Sequence, residues 1–227
     1  MCIRDRFYVF VYSIWLKRRT PQNIVIGGIA GSTPPVIGWA AAEGDLSLAT
    51  NTLDSLIGSV LDLGSLMPWF MFLLIFLWTP PHFWALALYR SEEYGSAGVP
   101  MMPNVKGGER TILEMKIYAL LLIALSVAAP MSYGGLDWGD AIYHVLGWTM
   151  VGLSIWYAST VWRIDLGEQP DHTGRIPSAA RSFFVSILYL AMMFVVLVTA
   201  SFGLGGALMG AVLALAAIAR SETRAKA

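Results

Sequence analysis

Cysteine is nearly absent. Cys2 is the only one in 227 residues, which excludes an internal disulfide framework and a thiolate metal site. Histidine is scarce too, and His82, His144 and His172 stand too far apart in sequence to suggest a zinc cluster. Charge is the third shortage. Asp, Glu, Lys and Arg make up 13% of the chain, where a soluble domain carries about a quarter. The 15 basic and 15 acidic residues cancel, so no net field draws nucleic acid, and no basic patch interleaved with aromatics is present. What remains is 56% hydrophobic, with a mean hydropathy of +0.62. The expectation is an integral membrane protein, all-α, built as a polytopic transmembrane helical bundle.

Lysine and arginine are missing altogether from two connections, 43–67 and 132–140, which hold Glu43, Asp45, Asp54, Asp62, Asp137 and Asp140. The basic residues gather elsewhere: Lys17, Arg18 and Arg19; then Arg90, Lys106, Arg110 and Lys116; then Arg163, Arg175 and Arg181. By the positive-inside rule the loops at 17–23, 90–114 and 163–181 are cytoplasmic.

Spans are expected at about 24–42, 68–89, 115–131, 141–162, 183–200 and 204–219, all in one domain over 1–227. The last run is about 24 Å long as a helix, and Arg220, Arg224 and Lys226 after it favour a return to the cytoplasm. Residues 1–6 read as a non-native leader. The apolar run 7–16 is half of the roughly 20 residues a span requires, so it reads as the end of a span whose first half is missing. Pro34-Pro35 demands a kink or break in its span, and Gly27 and Gly31 permit close helix approach. Between 51 and 63, Leu53, Leu56, Ile57, Val60 and Leu61 repeat with helical period opposite Asp54, Ser55, Gly58 and Asp62. That pattern predicts an amphipathic helix on the membrane surface.

Chemistry concentrates between Trp78 and Gly108, where Pro80, Pro81, His82 and two tryptophans lie at membrane depth. Polar and helix-breaking groups there mark a ligand cavity. Glu92 and Glu93 follow just outside it, with Arg90 and Lys106 in the same loop. Carboxylates at a membrane surface can hold Mg²⁺, whose shell is readily shared with phosphate oxygens, and cationic side chains grip phosphate.

The string Trp78-Thr79-Pro80-Pro81-His82-Phe83-Trp84-Ala85-Leu86-Ala87-Leu88, followed by Glu93-Tyr94 and Ala97-Gly98-Val99-Pro100-Met101, resembles the UbiA-type intramembrane prenyltransferases. Within them it is most similar to the haem-farnesylating branch, the haem o synthases. Residues 16–23, 31–39 and 180–190 carry the same resemblance, which runs from about Phe7 to Ala200.

The resemblance implies a bundle of nine spans, of which roughly the first three and a half would be lacking here. Two acidic motifs would bind Mg²⁺ and the diphosphate of farnesyl diphosphate, and a vinyl group of haem b would capture the allylic cation. The lipid bilayer is a partner, with haem a synthase or terminal-oxidase assembly factors as further ones. This chain has Glu93 where the family has Asp before the Tyr, and nothing that matches the first acidic motif, so the expectation is that it does not catalyse the reaction alone.

By the same resemblance His82, Arg90 and Glu93 are the catalytic candidates, with Glu93 as metal ligand. Lys17, Arg18, Asn23, Trp78, Phe83, Trp84, Tyr94 and Lys106 are the substrate-binding candidates. Taken alone, His82 serves equally as a helix–helix hydrogen bond, Asn23 reads better as one, and Lys17 and Arg18 read as topology determinants. Two other functions fit the residues: prenylation of a quinone-precursor aromatic acid, and a small transporter using the broken helices at Pro34-Pro35 and Pro80-Pro81.

Overall fold

A computed structural model of the chain describes residues 6–16, 19–43, 52, 58, 62–90, 100–133, 140–169 and 175–224. Among them the elements are α1 (Phe7–Leu16, wound as a π-helix), α2 (Asn23–Ser32), α3 (Pro34–Glu43), α4 (Met67–Tyr89) and α5 (Met102–Lys106). After these come α6 (Gly108–Val127), α7 (Ala129–Ser132), α8 (Ala141–Trp162), α9 (Pro177–Ala200) and α10 (Gly203–Arg224). The surface helix expected over 51–63 falls almost wholly outside the described residues.

Four helices close the core in the cyclic order α4, α6, α8, α9, each packed on the next and α9 back on α4. The pair α2–α3 lies against the outside of α4, with α1 beyond it, and α10 lies against α8 and α9. Leu74, Trp84, Met115, Leu122, Leu146, Met150, Leu153, Tyr189 and Met193 are completely buried between the four. Asn23–Ala42, Met67–Tyr89, Pro177–Ala200 and Gly203–Arg224 are long and apolar enough to cross a membrane. Helices α6 and α8 are of similar length but carry more polar and aromatic residues. Their Ser126 and Ser154 hydroxyls meet at 2.7 Å in the interior, and Tyr189 Oη of α9 is 3.0 Å from Ser154 Oγ. A buried polar contact of this kind fixes helix pairing where lipid offers no partner. The fold is an all-α polytopic membrane bundle.

The two proline pairs behave differently. At Pro34-Pro35 the helix divides into α2 and α3, and the Ala30 carbonyl, whose amide partner in a continuous helix would be residue 34, finds a hydroxyl instead. Thr33 Oγ1 donates to Ala30 O at 2.9 Å, and Ser32 Oγ to Gly28 O at 2.9 Å. Helix α4, by contrast, runs unbroken through Pro80 and Pro81. Proline's fixed φ suits a helix, and what it removes is amide donors. Pro80, Pro81 and His82 are all buried against neighbouring helices, which hold the segment straight enough to continue.

Several helices extend beyond their apolar runs. Helix α9 begins at Pro177, with the proline in its first turn where no amide partner is needed. Helix α6 begins at Gly108, so its first turns carry Glu109, Arg110, Glu114 and Lys116. Helix α10 continues to Arg224, 22 residues in all, about 33 Å and enough for a full crossing. The Glu222 carboxylate explains the extension, because Arg181 and Trp156 both hydrogen-bond it and anchor the last turn.

The hairpin of α9 and α10 closes on glycine. A Cβ on Gly206 would run into the Thr199 carbonyl, and one on Gly210 into the Thr199 hydroxyl, so both positions need a bare backbone. The chain alternates direction, so the ends of α4, α8 and α10 and the starts of α2, α6 and α9 share one pole. Arg19, Arg90, Lys106, Arg163, Arg181 and Arg224 all belong to that basic pole.

Candidate active site

Helical period decides which of the expected residues meet. Trp78 and His82 are four apart and therefore share one face of α4. That face turns toward α9. The His82 ring lies between two aromatic faces, stacked on Trp78 at 4.2 Å and 20° and on Phe183 at 4.7 Å and 25°. Phe83 meets it edge-on at 5.1 Å. Ser186, one turn beyond Phe183, completes the arrangement: His82 Nδ1 is 2.6 Å from Ser186 Oγ, and Trp78 Nε1 donates to Ser186 O at 2.8 Å.

The hydroxyl contacts assign the tautomer. Ser186 Oγ donates to Phe183 O at 2.6 Å, and a serine hydroxyl has one proton to give. The short contact to His82 is then Nδ1–H donating to Oγ. His82 is an oriented imidazole, 8% exposed, held in an aromatic slot.

At the basic pole, two arginines converge on the last residue of α4. The Arg90 guanidinium carbon lies 6.0 Å from the centre of the Tyr89 ring, and that of Arg175 lies 5.2 Å from it. Arg175 Nη1 also donates to Tyr89 Oη at 3.4 Å. Arg90 is eight residues beyond His82, about 12 Å along the helix. The result is an aromatic and imidazole wall in the membrane with paired cations above it.

The other candidates are distributed as follows. Phe83 is 40% exposed and, with Trp78 and Thr79, lines a cleft of about 250 Å³ against Gly27, Gly28 and Gly31 of α2. Trp84 is six residues from Trp78 and lands on the opposite face, completely buried with its ring edge-on to Tyr118 at 5.6 Å. It is not brought to the His82 wall. Asn23 is buried at the start of α2, where Nδ2 donates to Thr20 O at 2.8 Å and closes the turn. Lys106 is exposed at the end of α5, at the basic pole. Lys17, Arg18, Glu93 and Tyr94 lie outside the described residues.

Ser186, Phe183 and Arg175 were not singled out as site residues. The first two sit in a string quoted for its resemblance, but their meeting with His82 bridges 104 positions of sequence for Ser186, which no local pattern encodes. Among the described residues, no group of three or more His, Cys, Asp or Glu side chains is placed to hold a metal ion.

A larger cavity of about 860 Å³ opens at the other pole, walled by Trp39, Met67, Trp69, Met71, Phe194 and Leu197. Met71 is eleven residues from His82, about 16 Å along α4. Among the described residues Asp62 is the one charged side chain in its lining, and none of them is a cation that would grip a diphosphate.

Residues 6–175 match the model of the UbiA prenyltransferase family. A protein named protoheme IX farnesyltransferase from Parvibaculum lavamentivorans is 42% identical over 201 residues, 88% of this chain and 55% of that one. One from Beijerinckia indica is 44% identical over 188 residues, covering 83% and 50% respectively. The protoheme IX farnesyltransferase 2 of Nitrobacter winogradskyi is 44% identical over 192 residues, covering 84% and 53%. The chain thus spans about half the length of the curated relatives it matches. No solved structure matches.

Proposed function

Because the chain belongs to the UbiA prenyltransferase family, we propose that the whole protein transfers a farnesyl group from farnesyl diphosphate to a vinyl group of haem b. The allylic C–O bond breaks with its electron pair leaving on the diphosphate. The farnesyl cation adds to the vinyl group, and water adds to the cation formed on the side chain and gives up a proton. The product is haem o with its hydroxyethylfarnesyl group. The observation that carries this reading is the His82 slot between Trp78 and Phe183, below the paired Arg90 and Arg175. The names of the relatives, protoheme IX farnesyltransferase, support a farnesyl group as what is transferred and protohaem as what receives it.

Each group has a job that its chemistry suits. The π faces of Trp78, Phe83 and Phe183 stabilise an adjacent cation without capturing it. Arg90 and Arg175 meet the charge that builds on the departing diphosphate. His82, with Nδ1 occupied by Ser186, presents Nε2 as the acceptor for the proton released by the attacking water. Glu93 is the proposed ligand of a divalent cation, Mg²⁺, which when bound neutralises diphosphate charge. Lys17, Arg18 and Lys106 are proposed as further diphosphate contacts, and Tyr94 as a shaper of their loop. The basic pole is proposed to face the cytoplasm of a bacterial inner membrane, with haem a synthase or oxidase assembly factors downstream.

The test uses a chimera in which this chain replaces the matching residues of the Parvibaculum lavamentivorans relative. Membranes holding it receive radiolabelled farnesyl diphosphate with either haem b or 4-hydroxybenzoate. Label entering haem alone supports the proposal, whereas label entering the aromatic acid alone assigns the chain to another branch of the family.

A further inference from the structure

The α9–α10 hairpin carries a feature that farnesyl transfer leaves unused. At the basic pole an open groove of about 640 Å³ runs between the two helices, with Arg181, Phe184 and Leu188 on one wall and Ala217, Arg220 and Arg224 on the other. Phe184 and Leu188 follow Arg181 by three and seven residues, and Ala217 precedes Arg220 and Arg224 by the same spacings. Both walls therefore present one helical face, cationic at the pole and apolar for about 10 Å toward the bilayer middle.

The charges do not cancel. Glu222 is already engaged: Arg181 Nη2 donates to its Oε1 at 2.7 Å, Trp156 Nε1 at 3.0 Å, and Arg163 Nη1 lies 3.7 Å from Oε2. Arg220 and Arg224 are exposed and have no carboxylate within ion-pair distance among the described residues. Among the described side chains of this cluster, the four guanidiniums of Arg163, Arg181, Arg220 and Arg224 face one carboxylate, that of Glu222.

We propose that this groove binds an anionic phospholipid. Its phosphodiester meets Arg220 and Arg224, and an acyl chain lies along Phe184 and Leu188 in the space left by Ala217. A zwitterionic lipid would bring its own ammonium group to the uncompensated guanidiniums, so the groove selects net negative charge. The inference depends only on α9 and α10 spanning the membrane, and not on the transferase reading.

The full chain, purified in a neutral detergent, is incubated with phosphatidylglycerol or phosphatidylcholine of matched acyl chains, and retained lipid is counted by native mass spectrometry. Phosphatidylglycerol is expected to be retained at least ten-fold over phosphatidylcholine, and the R220Q/R224Q double variant to lose that preference. Ala217→Phe, which fills the apolar floor and keeps every arginine, should lose retention independently. Equal retention of the two lipids, or an unchanged preference in both variants, would overturn the proposal. So would displacement of phosphatidylglycerol by farnesyl diphosphate, which would make the groove a prenyl diphosphate site.

Discussion

His82 Nδ1 and Ser186 Oγ stand 2.6 Å apart, a buried contact that joins α4 to α9 across 104 residues of sequence. It fixes the ring's tautomer and pins it between Trp78 and Phe183. A ring so held cannot swing, and the site inherits its orientation from one serine.

Replacing Ser186 with alanine should therefore affect both stability and turnover. It leaves the buried Nδ1–H without a partner, at a cost of about 1–3 kcal/mol. The chimera carrying Ser186→Ala should melt lower in detergent and form haem o about ten-fold more slowly, while Ser186→Thr should restore most of both. A Ser186→Ala protein that matches wild type in melting and rate would remove Ser186 from the account.

The α9–α10 hairpin offers an internal control. A methyl group on Gly206 meets the Thr199 carbonyl, whereas one on Gly205 meets nothing within 4 Å. Gly206→Ala should destabilise by about 1–3 kcal/mol, the usual range for overpacking. Gly205→Ala should be neutral or slightly stabilising, as alanine is the better helix former. Detergent melting of the two variants side by side decides it, and equal melting would contradict the close approach.

Topology can be probed at two exposed positions in a Cys2-free background. Asn104 lies at the basic pole on α5, and Leu66 at the opposite pole just before α4. Asn104→Cys should react with an impermeant maleimide only from the cytoplasmic side, and Leu66→Cys only from the other. Reaction of both from one side would break the assignment.

Glu93 is proposed as a cation ligand in place of the family's aspartate. Glu93→Gln in the chimera should abolish haem farnesylation and weaken Mg²⁺ dependence, while Glu93→Asp should retain or raise activity. Unchanged turnover in Glu93→Gln would move the ligand elsewhere.

Much of this was legible in the chain itself. Apolar runs locate the crossing helices, the segregation of arginine and lysine gives the two poles, and the string around His82 marks the candidate site. Three things were not legible, each for a physical reason. Trp84 reads as a partner of Trp78 in a list of aromatics, but six residues of helix turn it to the far side. Pro80-Pro81 looks like a break, yet packing on both sides carries α4 through it. The end of α10 is set by Glu222 meeting Arg181 and Trp156, contacts that bridge 41 and 66 positions and leave no local trace.

The most direct measurement compares haem o formation by the chimera carrying His82→Ala with one carrying His144→Ala. His144 sits at the opposite pole, near the start of α8, and is not expected to touch either substrate. Loss of an oriented proton acceptor commonly costs 10²- to 10⁴-fold in rate. The account predicts that His82→Ala falls by at least about 100-fold in kcat at saturating farnesyl diphosphate, while His144→Ala keeps the wild-type rate. Haem o produced at the wild-type rate by His82→Ala would contradict it.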